Sequence, residues 1–342
     1  MSATGSVKVA LDAMGGDNAP AQIVKGAVLA VQENKDINVV LVGREEDIKK
    51  ELAQYEYPKD QISIHNAAEV ITTEEEPAMA VRRKKDSSLC VAARLVKDGE
   101  ADALVSAGST GALVVAGLFI VGRLKGVERA PLATLIPTVD GVSILIDTGA
   151  NADARASQLV QFAKMGSVYY ESVMNVEKPR VGLVNIGTEA EKGNALAKET
   201  YKLLSECGDI NFTGNLEPRE IPYGGADVIV TDGFTGNVIL KLYEGTSTAL
   251  VKKIKAGLMV SARSKVGALL IKPALKQTMK SFDSSGYGGA PLLGLRGLVV
   301  KTHGMADATE VKNTLVQCRT FKEQDINGRL ATMFCEKEGE EG

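Results

Sequence analysis

Seven strand-like runs recur along this chain, several of them apolar almost without interruption. They are "VKVAL" (7–11), "INVVLVG" (37–43), "QISIHNA" (61–67), "ADALVSAG" (101–108), "VSILID" (142–147), "RVGLVNIG" (180–187) and "ADVIVTDG" (226–233). A strand with one wet face alternates polar and apolar residues. A continuously apolar strand is buried on both faces, as in a parallel sheet covered by crossover helices. The segments between, such as "KGNALAKETYKLLSEC" (192–207), carry apolar residues at helical spacing. Strand, helix and strand again predicts an α/β chain with a doubly wound, mostly parallel sheet. Nothing in the sequence reads as a repeat, a low-complexity linker or a Pro-rich boundary, so 1–340 is expected to form a single α/β domain.

Composition narrows what such a fold can do. The 342 residues carry a net charge of −3, so a nucleic-acid partner is not expected. Cys90, Cys207, Cys318 and Cys335 are far apart, no CxxC occurs, and there are only two histidines. A metal centre is therefore not expected, and scattered cysteines fit a reducing, cytoplasmic compartment. The N-terminus lacks the apolar core of a secretory signal. The longest apolar run, "GALVVAGLFIVG" (111–122), is too short to span a bilayer and reads as a buried helix. The one shift in composition is at 241–280, where eight lysines and Arg263 face a single acid, Glu244. The segment 241–282 is expected to protrude as a basic amphipathic helical element.

The turns that follow the strands are alike. They read "DAMGGD" (12–17), "SAGSTGA" (106–112), "DTGAN" (147–151), "NIGTEAEKGN" (185–194) and "TDGFTGNV" (231–238). Ligands in open parallel sheets bind beyond the carboxyl ends of the strands. Glycine-rich turns that open helices offer free N–H groups and a favourable dipole to anions. Any one of these is an ordinary tight turn, but five together point to a phosphate or oxyanion site. Neither GxGxxG nor GxxxxGK[ST] occurs, which counts against a nucleotide. HExxH and GxSxG are missing as well.

"VALDAMGGDNAP", "EPAMAVRRKKDSS", "SAGSTGAL", "NIGTEAEKGN", "TDGFTGNV" and "GYGGAPLLG" together resemble the bacterial phosphate acyltransferase family (PlsX type). The resemblance runs in order from about Val7 to His303. It implies transfer of a long-chain fatty acyl group from acyl carrier protein to inorganic phosphate, giving acyl-phosphate for phospholipid synthesis, with no cofactor. It also implies a homodimer, and a fold like that of the isocitrate and isopropylmalate dehydrogenases or the phosphotransacetylases. Some members have histidine where this chain has Asn18, so a general base at that position is not available.

Such a reaction needs a phosphate cradle and donors for the tetrahedral oxyanion. Phosphate is already an anion near neutral pH, so positioning matters more than a strong base. Lys192 is assigned to phosphate or the acyl-phosphate product, because a cation at a helix start is unfavourable unless an anion joins it. Asn237 is assigned to the oxyanion or phosphate, its alternative being an N-cap or turn asparagine. Asp12 would orient phosphate or take its remaining proton. Gly15, Gly16, Ser109, Thr110, Asn185, Thr188 and Asn215 are candidate phosphate or substrate contacts. A covalent acyl-Cys90 route is disfavoured for want of a histidine partner motif.

The competing readings are a decarboxylating dehydrogenase, a short-chain phosphate acyltransferase acting on acyl-CoA, and a non-catalytic scaffold for acyl carrier protein. The dehydrogenase lacks a convincing acidic triad, and a scaffold would not need the polar strand ends. Two basic elements bear on partners. Arg82, Arg83, Lys84 and Lys85 form a quartet read as helical, either a solvated face or a dock for acidic acyl carrier protein. In 241–280, Leu250, Val251, Ile254, Leu258, Val266, Leu269, Leu270, Leu275 and Met279 recur at roughly helical intervals among lysines. That stripe suits an anionic membrane surface, a dimer partner or the core, and Pro273 is expected to break or bend the second half.

Overall fold

The computed structural model describes residues 5–281 and 288–335. Gly286 and Tyr287 of "GYGGAPLLG", Phe282 at the end of the basic segment, the Lys280 side chain and residues 336–340 lie outside the described residues. The chain divides into two compact units where one domain is expected. The first comprises Met1–Thr134, Lys164–Lys178 and Ser285–Gly342; the second comprises Leu135–Ala163 and Pro179–Ser284. Two of the boundaries fall inside regular elements, a strand (Ala133–Thr138) and a helix (Ala156–Met174). No linker composition marks them for that reason.

In the first unit, β1 (Val7–Asp12), α1 (Ala21–Glu33), β2 (Ile37–Gly43), α2 (Glu45–Leu52) and β3 (Ile62–Asn66) alternate as expected. They are followed by α3 (Pro77–Arg83), α4 (Ser88–Lys97), β4 (Ala103–Ser106) and α5 (Thr110–Ala116). A π-helical turn, Gly117–Val121, extends α5. The run at 111–122 is therefore helical, yet Phe119 on it is exposed. β1, β2, β3 and β4 pair in parallel, and Val9, Ala10 and Leu11 are wholly buried.

In the second unit, β5 (Ala133–Thr138) and β6 (Gly141–Ile146) are joined by a two-residue turn, short enough only for an antiparallel pair. Next come α6 (Ala156–Met174), β7 (Arg180–Val184), α7 (Ala195–Ser205), β8 (Asn211–Leu216) and β9 (Val228–Val230). The sheet runs β5-β6-β9-β7-β8, with β6, β9, β7 and β8 parallel. Ile136, Leu145, Leu216, Ile221, Ala226 and Ile229 form a core cluster against it.

Two long helices follow, α8 (Gly233–Leu258) and α9 (Ala262–Ser281). The chain then returns to the first unit as β10 (Ala290–Leu292), β11 (Leu298–Lys301), α10 (Ala308–Glu323) and α11 (Ile326–Cys335). The completed first sheet is β10-β11-β4-β1-β2-β3, with β10 antiparallel at its edge. The basic segment is a helical pair, but the break lies at residues 259–261. Pro273 sits inside α9, which loses one backbone donor there without ending. No residue from 241 to 279 is buried in the chain, so the core does not cover the apolar stripe.

Candidate active site

The strand order marks a crevice in the first unit. β1 leads to β2 and β3 on one side and then crosses to β4 on the other, so the sheet reverses between β1 and β4. A crevice opens at the carboxyl ends of strands at such a reversal. The loops "DAMGGD" and "SAGSTGA" meet there. Asp12, 3% exposed, accepts the Ser106 hydroxyl at 2.7 Å and the Met14 amide at 3.2 Å. Gly108 N–H donates to Ser106 Oγ at 3.0 Å.

Burial pushes the Asp12 carboxyl above its usual range, against the hydroxyls of Ser88 and Ser106 and the amides of Met14 and Gly15, which favour the ionised form. Gly15 has no room for a side chain: a Cβ would lie 2.5 Å from Asp12 Oδ2 and 2.8 Å from Gly108 N. Gly16 sits at φ +97°, a region that favours glycine. Ser109 caps α5, accepting from Ala112 N–H at 3.4 Å, and Thr110 is the first residue of that helix. Asn18, where a histidine base is missing, donates instead to the carbonyls of Met305 and Ala306.

The second unit gathers its polar residues after β6, β7 and β9. Asp147 is fully buried and accepts from the amides of Gly149, Ala150 and Asn151 and from the Asn151 side chain, at 2.7–3.0 Å. That shapes the 147–151 loop. Asn237 lies in the second turn of α8, one turn past the cap. The N-cap is Asp232, which accepts from Thr235 N–H at 2.8 Å. The N-cap alternative for Asn237 is thereby set aside. Its Nδ2 donates to Thr148 O at 2.9 Å, which occupies one of two amide protons. Gly236 lets the two backbones approach, since a Cβ there would lie 1.9 Å from Asp147 O.

Asn185 closes the loop after β7. Its side chain accepts from Ile186 N–H at 2.8 Å and donates to Lys192 O at 3.1 Å. Asn215 on β8 donates to Glu189 O at 2.8 Å, and its buried Oδ1 has no partner among the described residues. Lys192 is exposed and lies ahead of α7, whose cap is Asn194. Its stem rests on Gly187, 3.1 Å from the position of a Cβ there, and its ammonium has no partner among the described residues. Thr188 is exposed on the same loop.

Other expectations change. The basic quartet is not one helical face. α3 ends at Arg83, and Lys84 caps it while pairing with Glu75 at 2.7 Å and donating to Val70 O at 2.8 Å. Arg82, Arg83 and Lys85 remain exposed. Cys90 is buried, and desolvation pushes its thiol above the ordinary value, away from a nucleophilic thiolate. His303 is a turn residue whose Nδ1 accepts from Met305 N–H. Among the described residues, no helix is long and apolar enough to cross a membrane, and no group of three His, Cys, Asp or Glu could hold a metal.

Ser106, Asp147 and Lys301 were not singled out from the sequence. The first two head quoted turns, where their strand-end position was the available signal. Lys301 ends a four-residue strand too short to recognise.

A family model described as "Fatty acid synthesis protein" matches residues 7–329. A phosphate acyltransferase of Clostridium perfringens (strain ATCC 13124) is 50% identical over 97% of this chain and 98% of its own length. One of Clostridium botulinum (strain Alaska E43) is 49% identical over 97% and 100%. Among solved structures, a phosphotransacetylase from Streptococcus pyogenes superposes with a TM-score of 0.62 at 18% identity, covering 93% of this chain and 94% of its own. Another, from Staphylococcus aureus, gives 0.59 at 18% identity over 92% and 94%. The α/β architecture, parallel sheets with antiparallel edges, is that of the phosphotransacetylases. Matched along almost its whole length by these relatives, the chain belongs to the bacterial phosphate acyltransferase family.

Proposed function

We propose that this phosphate acyltransferase takes a long-chain fatty acyl group from acyl carrier protein, passes it to inorganic phosphate, and releases acyl-phosphate for phospholipid synthesis. The observation that carries the reading is the exposed Lys192 ammonium, without a partner among the described residues, on the loop that Asn185 and Asn215 hold closed. A cation held on an ordered polar loop suits a phosphate dianion as a point charge.

In this reading Lys192 binds the phosphate, with Thr188 and the 185–192 loop as further contacts. A phosphate oxygen attacks the thioester carbon, a C–O bond forms, and the carbonyl electrons move onto oxygen. The free amide proton of Asn237 serves that oxyanion. Collapse breaks the C–S bond, and the thiolate leaves to be protonated as carrier thiol. Phosphate needs little help as a nucleophile, so preorganised donors supply most of the acceleration. Asp12 holds the 12–17 and 106–109 loops of the first unit, with Gly15, Gly16, Ser109 and Thr110 as substrate contacts.

Arg82, Arg83 and Lys85 form the dock for acidic acyl carrier protein, since Lys84 is engaged with Glu75. The exposed Ile254 and the partly exposed Leu258 lie on a helix with lysines around them, which suits transient contact with an anionic membrane from the cytoplasmic side. The enzyme acts as a homodimer.

The test is a donor comparison. Palmitoyl-acyl carrier protein, palmitoyl-CoA and acetyl-CoA are each incubated with phosphate, and acyl-phosphate is followed by mass spectrometry. The long-chain carrier-bound donor is expected to give the highest kcat/KM. Preference for acetyl-CoA would contradict the proposed substrate.

A further inference from the structure

The carboxyl edge of the first sheet holds a lysine for which the reaction described above has no use. Lys301 is the last residue of β11 and lies in register with Ser106 on β4. Its half-buried ammonium donates to Ala107 O at 3.2 Å and to the carbonyl of Thr302. It makes no ion pair among the described residues; the charged groups facing it are Asp12 and Asp17 from the loop after β1 and Glu310 from α10.

The Ala107 carbonyl and the Gly108 N–H are two ends of one planar peptide. Holding the oxygen end therefore aims the nitrogen end. That N–H donates to Ser106 Oγ at 3.0 Å, which leaves the Ser106 proton for Asp12 Oδ2 at 2.7 Å. Each bond in such a chain polarises the next.

We propose that Lys301 is a positioning residue for acyl transfer, acting through the Ala107–Gly108 peptide and Ser106 to fix the orientation and charge of Asp12. The proposal rests on Asp12 taking part in the reaction. Desolvation pulls the Lys301 ammonium down to about 8, although the three carboxylates oppose it. The strength of the relay therefore falls as pH rises through that value, because a neutral amine is a weaker donor.

The experiment is a double-mutant cycle read as kcat, KM and their pH profiles from 6.5 to 9.5. Lys301→Met is expected to lower kcat roughly tenfold, the scale of one lost charge-assisted hydrogen bond, while the KM for phosphate stays nearly constant. Wild-type kcat should decline above about pH 8, and that limb should be missing in Lys301→Met. In Lys301→Arg, whose guanidinium stays charged, the limb should be displaced beyond pH 9.5. Lys301→Met added to Asp12→Asn should slow the enzyme no further. Melting temperatures report folding, and Lys301→Arg keeps the test open if Lys301→Met unfolds.

An Asp12→Asn defect to which Lys301→Met adds in full would overturn the relay alone. Wild-type turnover in Asp12→Asn would overturn the role of Asp12 and the relay with it.

Discussion

Asn237→Ala separates two contributions of one side chain. The folded protein loses the Nδ2 bond to Thr148 O at 2.9 Å, worth about 1 kcal/mol of stability. The reaction loses an amide donor for the oxyanion, which typically costs roughly 100- to 1,000-fold in kcat, or about 2.7–4 kcal/mol. Gly149 on the facing loop packs closely against this side chain, a Cβ there lying 2.7 Å from Asn237 Nδ2, so the truncation leaves the loop itself in place. Urea unfolding measures the first contribution. Thiol release from the acyl donor at saturating phosphate measures the second. Both should change, and kcat should fall far more than the stability loss explains. If kcat stays within threefold of wild type while the variant is folded, the oxyanion role of Asn237 is wrong.

Lys192→Ala should raise the KM for phosphate at least tenfold, and added salt should weaken phosphate binding in the wild type more than in the variant; initial rates across a phosphate series decide this. Because the Asp12 carboxyl is raised from 3.8 in the folded protein, its contribution to stability is fully present below that value and lost as pH rises through the folded value. Asp12→Asn, which avoids the buried charge, should therefore melt at or above the wild-type temperature at pH 7, with the gap narrowing toward pH 4, even as turnover falls. Replacing Arg82 and Arg83 by glutamate should slow association with acyl carrier protein in stopped-flow measurements and leave turnover of a small thioester donor unchanged. Glutamate at Ile254 and Leu258 should abolish co-sedimentation with anionic liposomes; if it instead monomerises a protein that ignores liposomes, the stripe is a subunit contact.

All seven predicted strands exist; burial on both faces leaves a continuous apolar record in β1, β2 and β4, whereas β3, at the sheet edge, shows alternation instead. β5, β8, β10 and β11 were missed for separate reasons. Pro137 interrupts β5, and Gly214 at φ +104° weakens the pattern of β8. β10 and β11 have only three and four residues. The two-sheet arrangement was illegible because its boundaries run through β5 and α6, where composition answers to local structure.

At the site, the strand-end turns were readable, but side-chain partners were not. Ser109 and Thr110 looked like the polar residues of "SAGSTGA", whereas Ser106, hidden at the strand end, makes the bond to Asp12. The quartet at 82–85 shows the same limit. Charge is visible in sequence, but the Lys84–Glu75 pair that removes one member from the surface is not.

The most direct measurement uses phosphate labelled with four heavy oxygen atoms and palmitoyl-acyl carrier protein. Attack by a phosphate oxygen on the thioester carbonyl predicts palmitoyl-phosphate carrying all four labels, formed at the rate of thiol release. Thiol release that proceeds equally without phosphate and yields only unlabelled free fatty acid would contradict the account.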